Sequence, residues 1–214
     1  MAKVNLTQKE YQDFDQLVIY ADLVVKDLVP YTSGIRPMSL EFATLQISAS
    51  SFSIIFSIRE LIKLGYFPSA RILLRSLLDR TTTIAWIREN GLNGLEIWNN
   101  GWKYKERPEN LADKLDCLHK FRLFIDDDRP LAKYLVDQGF IREFHGDSHG
   151  NLESIKRNVV FGEDGEEYYV AGPNNLDVGQ LVYTCKLSST IIGQFMKEIE
   201  ISLSGAIPIW KQKA

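Results

Sequence analysis

Apolar residues recur at intervals of three and four along most of the chain, which is the spacing of one face of an α-helix. The clearest such stripe follows Pro68, and its members are Ala70, Leu73, Leu74, Leu77, Leu78, Thr81, Ile84 and Ala85. Capping and helix-breaking residues divide the pattern into separate elements. The predicted helices run from Thr7 to Val29, from Pro37–Ser39 to Leu64, from Pro68 to Asn90-Gly91, from Pro108 to Ile125, from Leu131 to His145, and from Leu176 (capped by Asn175) to Leu203.

Strand signals are confined to residues 158–172, where VVFG and EEYYVAG lie on either side of a Glu-Asp-Gly turn. This pattern predicts one small β-hairpin. The chain contains no internal repeat, low-complexity tract or linker that would divide it. We therefore predict an all-α protein, with residues 1–214 forming a single domain built as a multi-helix bundle with one hairpin.

The composition is that of a packed, nearly neutral protein. Of the 214 residues, 45% are hydrophobic and 25% are charged, and the net charge is only −3. This balance argues against a broad basic surface for nucleic acid or anionic lipid, although a local basic groove remains compatible with it. The two cysteines, Cys117 and Cys185, are far apart within predicted helices, which favours free thiols. Because the first residues also carry no secretory pattern, we predict a cytoplasmic protein.

The stretch Phe42–Ile58 carries no charge, which makes it a candidate membrane span. It contains seven serine, threonine and glutamine residues and is shorter than the ~20 apolar residues that a span requires. We interpret it as a buried helix and expect no membrane association. Its small side chains would allow another helix to approach closely, within the fold or across a dimer interface.

Two of the three histidines lie in the segment from Arg142 to Asn151, and three interpretations of it compete. The first is a metallophosphatase box, since the string Gly-Asp-Ser-His-Gly-Asn at 146–151 resembles that of calcineurin-like phosphoesterases. A two-metal site needs further histidines, and none follows His149, so we expect no metal and no other cofactor.

The second interpretation is an arginine–histidine catalytic pair. Arg142 and His145 are three residues apart and would share a helix face, which His149 would join if the helix continued past Gly146. A histidine can move the proton of a ribose hydroxyl, while an arginine stabilises charge on the phosphate.

The third interpretation is structural. His145 would cap the end of its helix, and Asp147 or Ser148 would cap the next turn.

A second candidate group lies on the third predicted helix, where Arg71, Arg75 and Asp79 follow one another at four-residue intervals. One interpretation is a solvated face with weak arginine–aspartate pairs. The other places the group inside the bundle, facing the histidine segment, as a phosphate-binding or orienting set. The adjacent aromatic residues Trp98, Trp102 and Tyr104 would either stack on bases or pack on the core.

The sequence resembles a bacterial family related to the HEPN-like helical bundles. The resemblance rests on the helix Ala70-Arg-Ile-Leu-Leu-Arg-Ser-Leu-Leu-Asp79 and on the later Ser148-His149-Gly150, and it spans residues 40–158. Active HEPN domains carry an arginine and a histidine separated by four to six residues, a spacing that Arg142 and His149 fit. The residue after the arginine departs from the usual Asn, Asp or His, because Glu143 stands there.

The resemblance implies a metal-independent endoribonuclease of a bacterial defence or toxin–antitoxin system. His149 would be the acid–base catalyst and Arg142 the phosphate contact, with Arg71, Arg75, Asp79, His145 and Ser148 binding or orienting. RNA would be the substrate, an antitoxin the partner and a homodimer the working form. The alternative function is a catalytically inactive helical module that binds a protein partner or a nucleotide.

Overall fold

The computed structural model describes residues 4, 6–28, 39–100, 159–161, 166–169, 173 and 177–204. Within these residues the chain forms four long helices: α1 (Lys9–Leu28), α2 (Leu40–Lys63), α3 (Phe67–Asn99) and α4 (Val178–Leu203). The prediction of an all-α bundle is confirmed for this part of the chain. The helices predicted from Pro108 and from Leu131 lie outside the described residues.

Local chemistry determines where α2 begins and ends. Ser39 accepts a hydrogen bond from the backbone N–H of Phe42 at 3.1 Å, which caps the first turn. At the other end Gly65 adopts φ 80°, and Tyr66 N–H bonds back to the carbonyl of Leu61 at 2.8 Å. These are the features of a Schellman motif, for which glycine is preferred because it has no Cβ. Both predicted ends of this helix are confirmed.

Helix α3 begins where predicted, with Pro68 in its first turn, but it ends differently. The predicted stop at Asn90-Gly91 is a kink: Gly91 has φ 58° and ψ −134°, and the chain resumes helical geometry as far as Asn99. The reason is that residues beyond the kink still bury apolar surface, since Leu95 is 4% exposed and Trp98 packs on the core. Trp102 and Tyr104 lie outside the described residues.

Helix α4 is the central element, because it packs against α1, α2 and α3. Its first turn is capped by Asp177, whose carboxylate accepts from Gln180 N–H at 2.8 Å, so the prediction that Asn175 caps this helix was wrong. Phe195 is fully buried and meets Phe52 of α2 edge to face, with ring centroids 5.8 Å apart. This contact lies in the continuous apolar core that joins the four helices.

Helix α2 has the length and composition of a helix that can cross a membrane, and half of its most apolar stretch is buried inside the fold. A core helix of a soluble bundle and a membrane span share this composition. Its large apolar side chains, among them Phe52, Ile55 and Ile58, point into the core. The exposed positions are small or polar instead, and they are Gln46, Ala49, Ser50, Ser53, Ser57 and Glu60.

Two short strands lie within the range of the predicted hairpin. Strand β1 (Val159–Phe161) pairs antiparallel with β2 (Glu167–Tyr169), and Val160 lies opposite Tyr168. Residues 162–165, which would form the turn, are outside the described part of the chain.

Candidate functional site

The first arginine of the α3 group is inside the protein. Arg71 is fully buried, and its Nη1 donates hydrogen bonds to Gln180 Oε1 at 2.7 Å and to Thr184 Oγ1 at 3.2 Å. Its guanidinium carbon lies 6.0 Å from the centroid of the Tyr183 ring, within the range of a cation–π contact. A solvated face is therefore the wrong interpretation for Arg71, which connects α3 to the first turns of α4.

Helical spacing places these partners together. Gln180 and Thr184 are four residues apart on α4, so they form one polar strip that faces the guanidinium. Burying a charge is unfavourable unless hydrogen bonds replace its hydration. The cap at Asp177 contributes to this arrangement, because it fixes the start of α4 and thereby the position of Gln180.

The other two members of the group are accessible. Arg75 Nε lies 3.5 Å from Asp79 Oδ1, and the two side chains are 20% and 32% exposed. The pair begins one helical turn beyond Arg71 on the same helix. A partly exposed guanidinium has N–H donors that the phosphate of a ligand can reach, and the adjacent carboxylate can hold it in position. Arg75 and Asp79 are therefore the predicted site residues whose exposure suits a binding role.

The histidine segment falls outside the described residues. The predicted site residues in this segment are Arg142, His145, Ser148 and His149. Their roles remain predictions from the sequence. Among the described residues, there is no group of three or more His, Cys, Asp or Glu side chains that could hold a metal ion.

A second ionic cluster, which the sequence did not reveal, joins α1 to α2. Arg59 Nε contacts Asp15 Oδ1 at 2.6 Å, and the Tyr11 hydroxyl donates to the same oxygen at 3.3 Å. Burial acts to raise the pKa of Asp15, but the hydrogen bond and charge of Arg59 outweigh it and hold this pKa below its usual value. Burial, with the neighbouring Asp15 carboxylate, raises the pKa of Tyr11 to about 12. Since the partners lie 44 residues apart, no local spacing could indicate their contact.

A third cluster surrounds Glu198 in the second half of α4. This carboxyl is fully buried, receives a hydrogen bond from Gln194 Nε2 at 3.3 Å, and lies 3.5 Å from Arg88 Nη2. Arg88 is held more closely by Glu89, at 2.9 Å. The sequence does indicate this burial, because Glu198 is seven residues after Ile191 and three after Phe195, on the apolar stripe of its helix.

Cys185 is a fully buried free thiol, as predicted, while Cys117 lies outside the described residues. Burial, with a smaller contribution from the charge of Glu10, raises the pKa of the Cys185 thiol to about 12. A thiol with so high a pKa is a poor nucleophile near neutrality, because the thiolate is the reactive form. Cys185 therefore serves the packing of α4.

No family model, curated protein or solved structure matches the chain in comparisons with known proteins.

Proposed function

We propose that the protein is a HEPN-like helical bundle that cleaves RNA without a metal ion, in a bacterial defence or toxin–antitoxin system. The observation that carries the proposal is the partly exposed Arg75–Asp79 pair, which follows the buried Arg71 on α3. In this proposal the pair orients the substrate or the catalytic side chains, while Arg71 supports the helix that presents it. The α-helical architecture of the described residues is compatible with such a bundle.

The chemistry of the proposed reaction resides in the segment after residue 141. His149 takes the proton of a ribose 2′-hydroxyl and later returns one to the leaving oxygen, while Arg142 stabilises the charge on the phosphate. An arginine suits this role because its planar guanidinium makes two parallel hydrogen bonds to phosphate oxygens. His145 and Ser148 would help to position these groups, and no metal is needed.

A second candidate function is a helical module without catalytic activity that binds a protein partner or a nucleotide. The burial of Arg71 favours it, because a guanidinium bonded to Gln180 and Thr184 inside the bundle is used for structure rather than for a substrate. In that case the resemblance of the α3 segment would reflect a shared fold, and fold alone does not establish function.

The experiment that separates these functions is incubation of the purified protein with varied RNA substrates in EDTA. The proposal predicts cleavage that persists in EDTA and falls by about two to four orders of magnitude in His149→Ala. Arg142→Lys should also lose activity, since an ammonium cannot reproduce the two parallel contacts. Intact RNA after incubation with the folded wild-type protein would decide for the binding module.

The proposal includes a homodimer, which would bring two Arg142–His149 motifs together. The exposed strip of α2 suits such an interface, because Ala49, Ser50, Ser53 and Ser57 are small and uncharged and would allow close helix approach. Light scattering should then give twice the chain mass of 24.5 kDa. Ser53→Arg should shift the protein to the monomer, whereas a mass of 24.5 kDa for the wild-type protein at micromolar concentration would contradict the dimer.

A further inference from the structure

Glu198 lies in surroundings that suit a neutral carboxylic acid better than a carboxylate. Its side chain is fully buried on α4, and its charged neighbour, Arg88, lies at 3.5 Å, longer than a close ion pair. Arg88 is shared with Glu89, whose carboxylate is closer, at 2.9 Å, and is partly exposed. A buried carboxylate needs a close, well-aligned partner to compensate for lost hydration, and the hydrogen bond that Arg88 Nη2 donates to Glu198 Oε2 is long, at 3.5 Å.

The neighbouring amide supplies an independent argument. Gln194 Nε2 donates to Glu198 Oε1 at 3.3 Å, while Gln194 Oε1 is buried and accepts no hydrogen bond within the described part of the chain. A carboxylate can only accept hydrogen bonds, whereas a protonated carboxyl can also donate one. Protonation of Glu198 adds a donor beside Gln194, whose buried oxygen is otherwise unsatisfied, and an unsatisfied buried acceptor is unfavourable.

We propose that Glu198 is held as a neutral acid bonded to Gln194, and that loss of its proton loosens the joint between α3 and α4. The joint lies directly before the kink at Gly91, since Arg88 and Glu89 are the last charged residues of α3 ahead of it. A proton on Glu198 thus controls how firmly the kinked end of α3 is held against the central helix.

The other charged groups around this joint do not stabilise a carboxylate at Glu198 enough to offset its burial. Burial raises the pKa of Glu198 to about 7, and it outweighs the charge and hydrogen bond of Arg88, the hydrogen bond from Gln194 and the charge of Lys197, all of which favour the carboxylate. On α1, Asp22 and Lys26 pair with each other at 2.5 Å on the exposed surface. Helix α2 carries no charged residue between Glu41 and Arg59.

The sign of the pH effect follows from this raised pKa. An unfolded glutamate loses its proton near pH 4.5, whereas the folded one retains it to about pH 7. The folded state therefore binds more protons between these values, and stability decreases as the pH rises through this window. The contribution of the neutral acid is complete below about pH 4.5 and is lost above about pH 7.

Glu198→Gln tests this inference, because glutamine has the shape of the neutral acid and cannot ionise. Urea unfolding should be measured at several values from about pH 5 to about pH 8. As the pH rises, the urea midpoint of the variant should increase relative to that of the wild type, and at about pH 8 the variant should have the higher midpoint. Glu200→Gln is the matched control, since it makes the same change at an exposed position two residues later on α4 and should not produce this trend. A Glu198→Gln midpoint below that of the wild type at about pH 8 would mean that the charged form pairs favourably with Arg88, and would overturn the proposal.

A direct measurement uses the side-chain carboxyl carbons of glutamate in nuclear magnetic resonance. One signal should titrate near neutrality and should be missing from the Glu198→Gln spectrum. A spectrum in which every glutamate carboxyl titrates below about pH 5 would refute the neutral acid even if the variant were too unstable for unfolding measurements.

Discussion

Arg71 Nη1 donates a hydrogen bond to Gln180 Oε1 at 2.7 Å, and this bond joins two helices whose contact residues are 109 positions apart in the chain. A second bond, to Thr184 Oγ1 at 3.2 Å, holds the same guanidinium to the next turn of α4. Because the arginine is fully buried, these bonds act where water does not compete. The contact therefore belongs to the assembly of the bundle.

Replacing Arg71 by methionine should lower the free energy of unfolding by about 3 kcal/mol, because the loss leaves polar partners in the interior without their donor. Urea denaturation measures this loss. The matched control is Arg75→Met on the same helix, whose side chain is 20% exposed and whose ion pair should contribute no more than about 1 kcal/mol. Equal losses in the two variants would show that the buried hydrogen bonds of Arg71 do not stabilise the fold.

The Asp15–Arg59 pair should give a stability difference that disappears in acid. Asp15→Asn removes the charge that Arg59 contacts at 2.6 Å, and we expect a loss of about 1 kcal/mol near neutral pH, since both side chains are partly exposed. The pKa of Asp15 is held below its usual value of 3.8, so its stabilising effect is present above that value and is lost as the pH falls through the lower folded pKa. Unfolding measured from about pH 7 down to about pH 2 should show the two proteins converging.

Asp22→Asn is the control for this measurement. Asp22 also pairs with a cation, Lys26, but the side chains are 42% and 66% exposed. We expect a change within about 0.5 kcal/mol at every pH. A comparable effect in both variants would indicate a general charge effect instead of a specific pair between α1 and α2.

The kink in α3 should depend on glycine. Gly91 has φ 58° and ψ −134°, a conformation that side-chain-bearing residues rarely adopt, although a Cβ there would meet no atom within 4 Å. Gly91→Ala should therefore destabilise by about 1–3 kcal/mol through backbone strain alone. Asn93→Ala, at an exposed position two residues later, should change stability by less than about 0.5 kcal/mol. Thermal or urea unfolding that finds no difference between the two variants would contradict a strained glycine.

Local signals predicted the helices well because capping is a contact between near neighbours. Ser39 and Gly65 mark the two ends of α2, and Pro68 marks the start of α3. The errors have the same local origin. Asn175 and Asp177 are both suitable caps, and the chain uses Asp177. Gly91 departs from helical dihedral angles, but the helix resumes beyond it because the apolar side chains there are buried.

The candidate site was less predictable, since its contacts join distant parts of the chain. Spacing placed Arg71, Arg75 and Asp79 on one helix but did not show that the first is buried and the others are accessible. That difference arises from Gln180 and Thr184, more than 100 residues later. Glu198 could have been noticed, because it interrupts an apolar stripe.

The partly exposed Arg75–Asp79 pair on α3 provides the sharpest functional prediction, which rests on the proposed RNA cleavage. If Asp79 holds Arg75 in position for a substrate, Asp79→Asn should lower the cleavage rate by about a hundredfold, because misplacing an orienting group reduces productive geometry. Its stability should change by no more than about 1 kcal/mol, since the pair is separated by 3.5 Å and is partly exposed. Asp79→Glu keeps the charge and should retain more activity than Asp79→Asn.

The control for this prediction is Asp22→Asn, which makes the same chemical change on the exposed surface of α1 and should leave cleavage unchanged. The pH profile adds a further criterion. A positioning residue lowers the rate at every pH and leaves the shape of the profile intact, because the proton-transferring histidine sets that shape. A changed profile in Asp79→Asn would instead assign proton transfer to Asp79 itself. Cleavage by Asp79→Asn at the wild-type rate would show that the Arg75–Asp79 pair has no part in the reaction. The pair would then have only a structural role in the bundle, as Arg71 does.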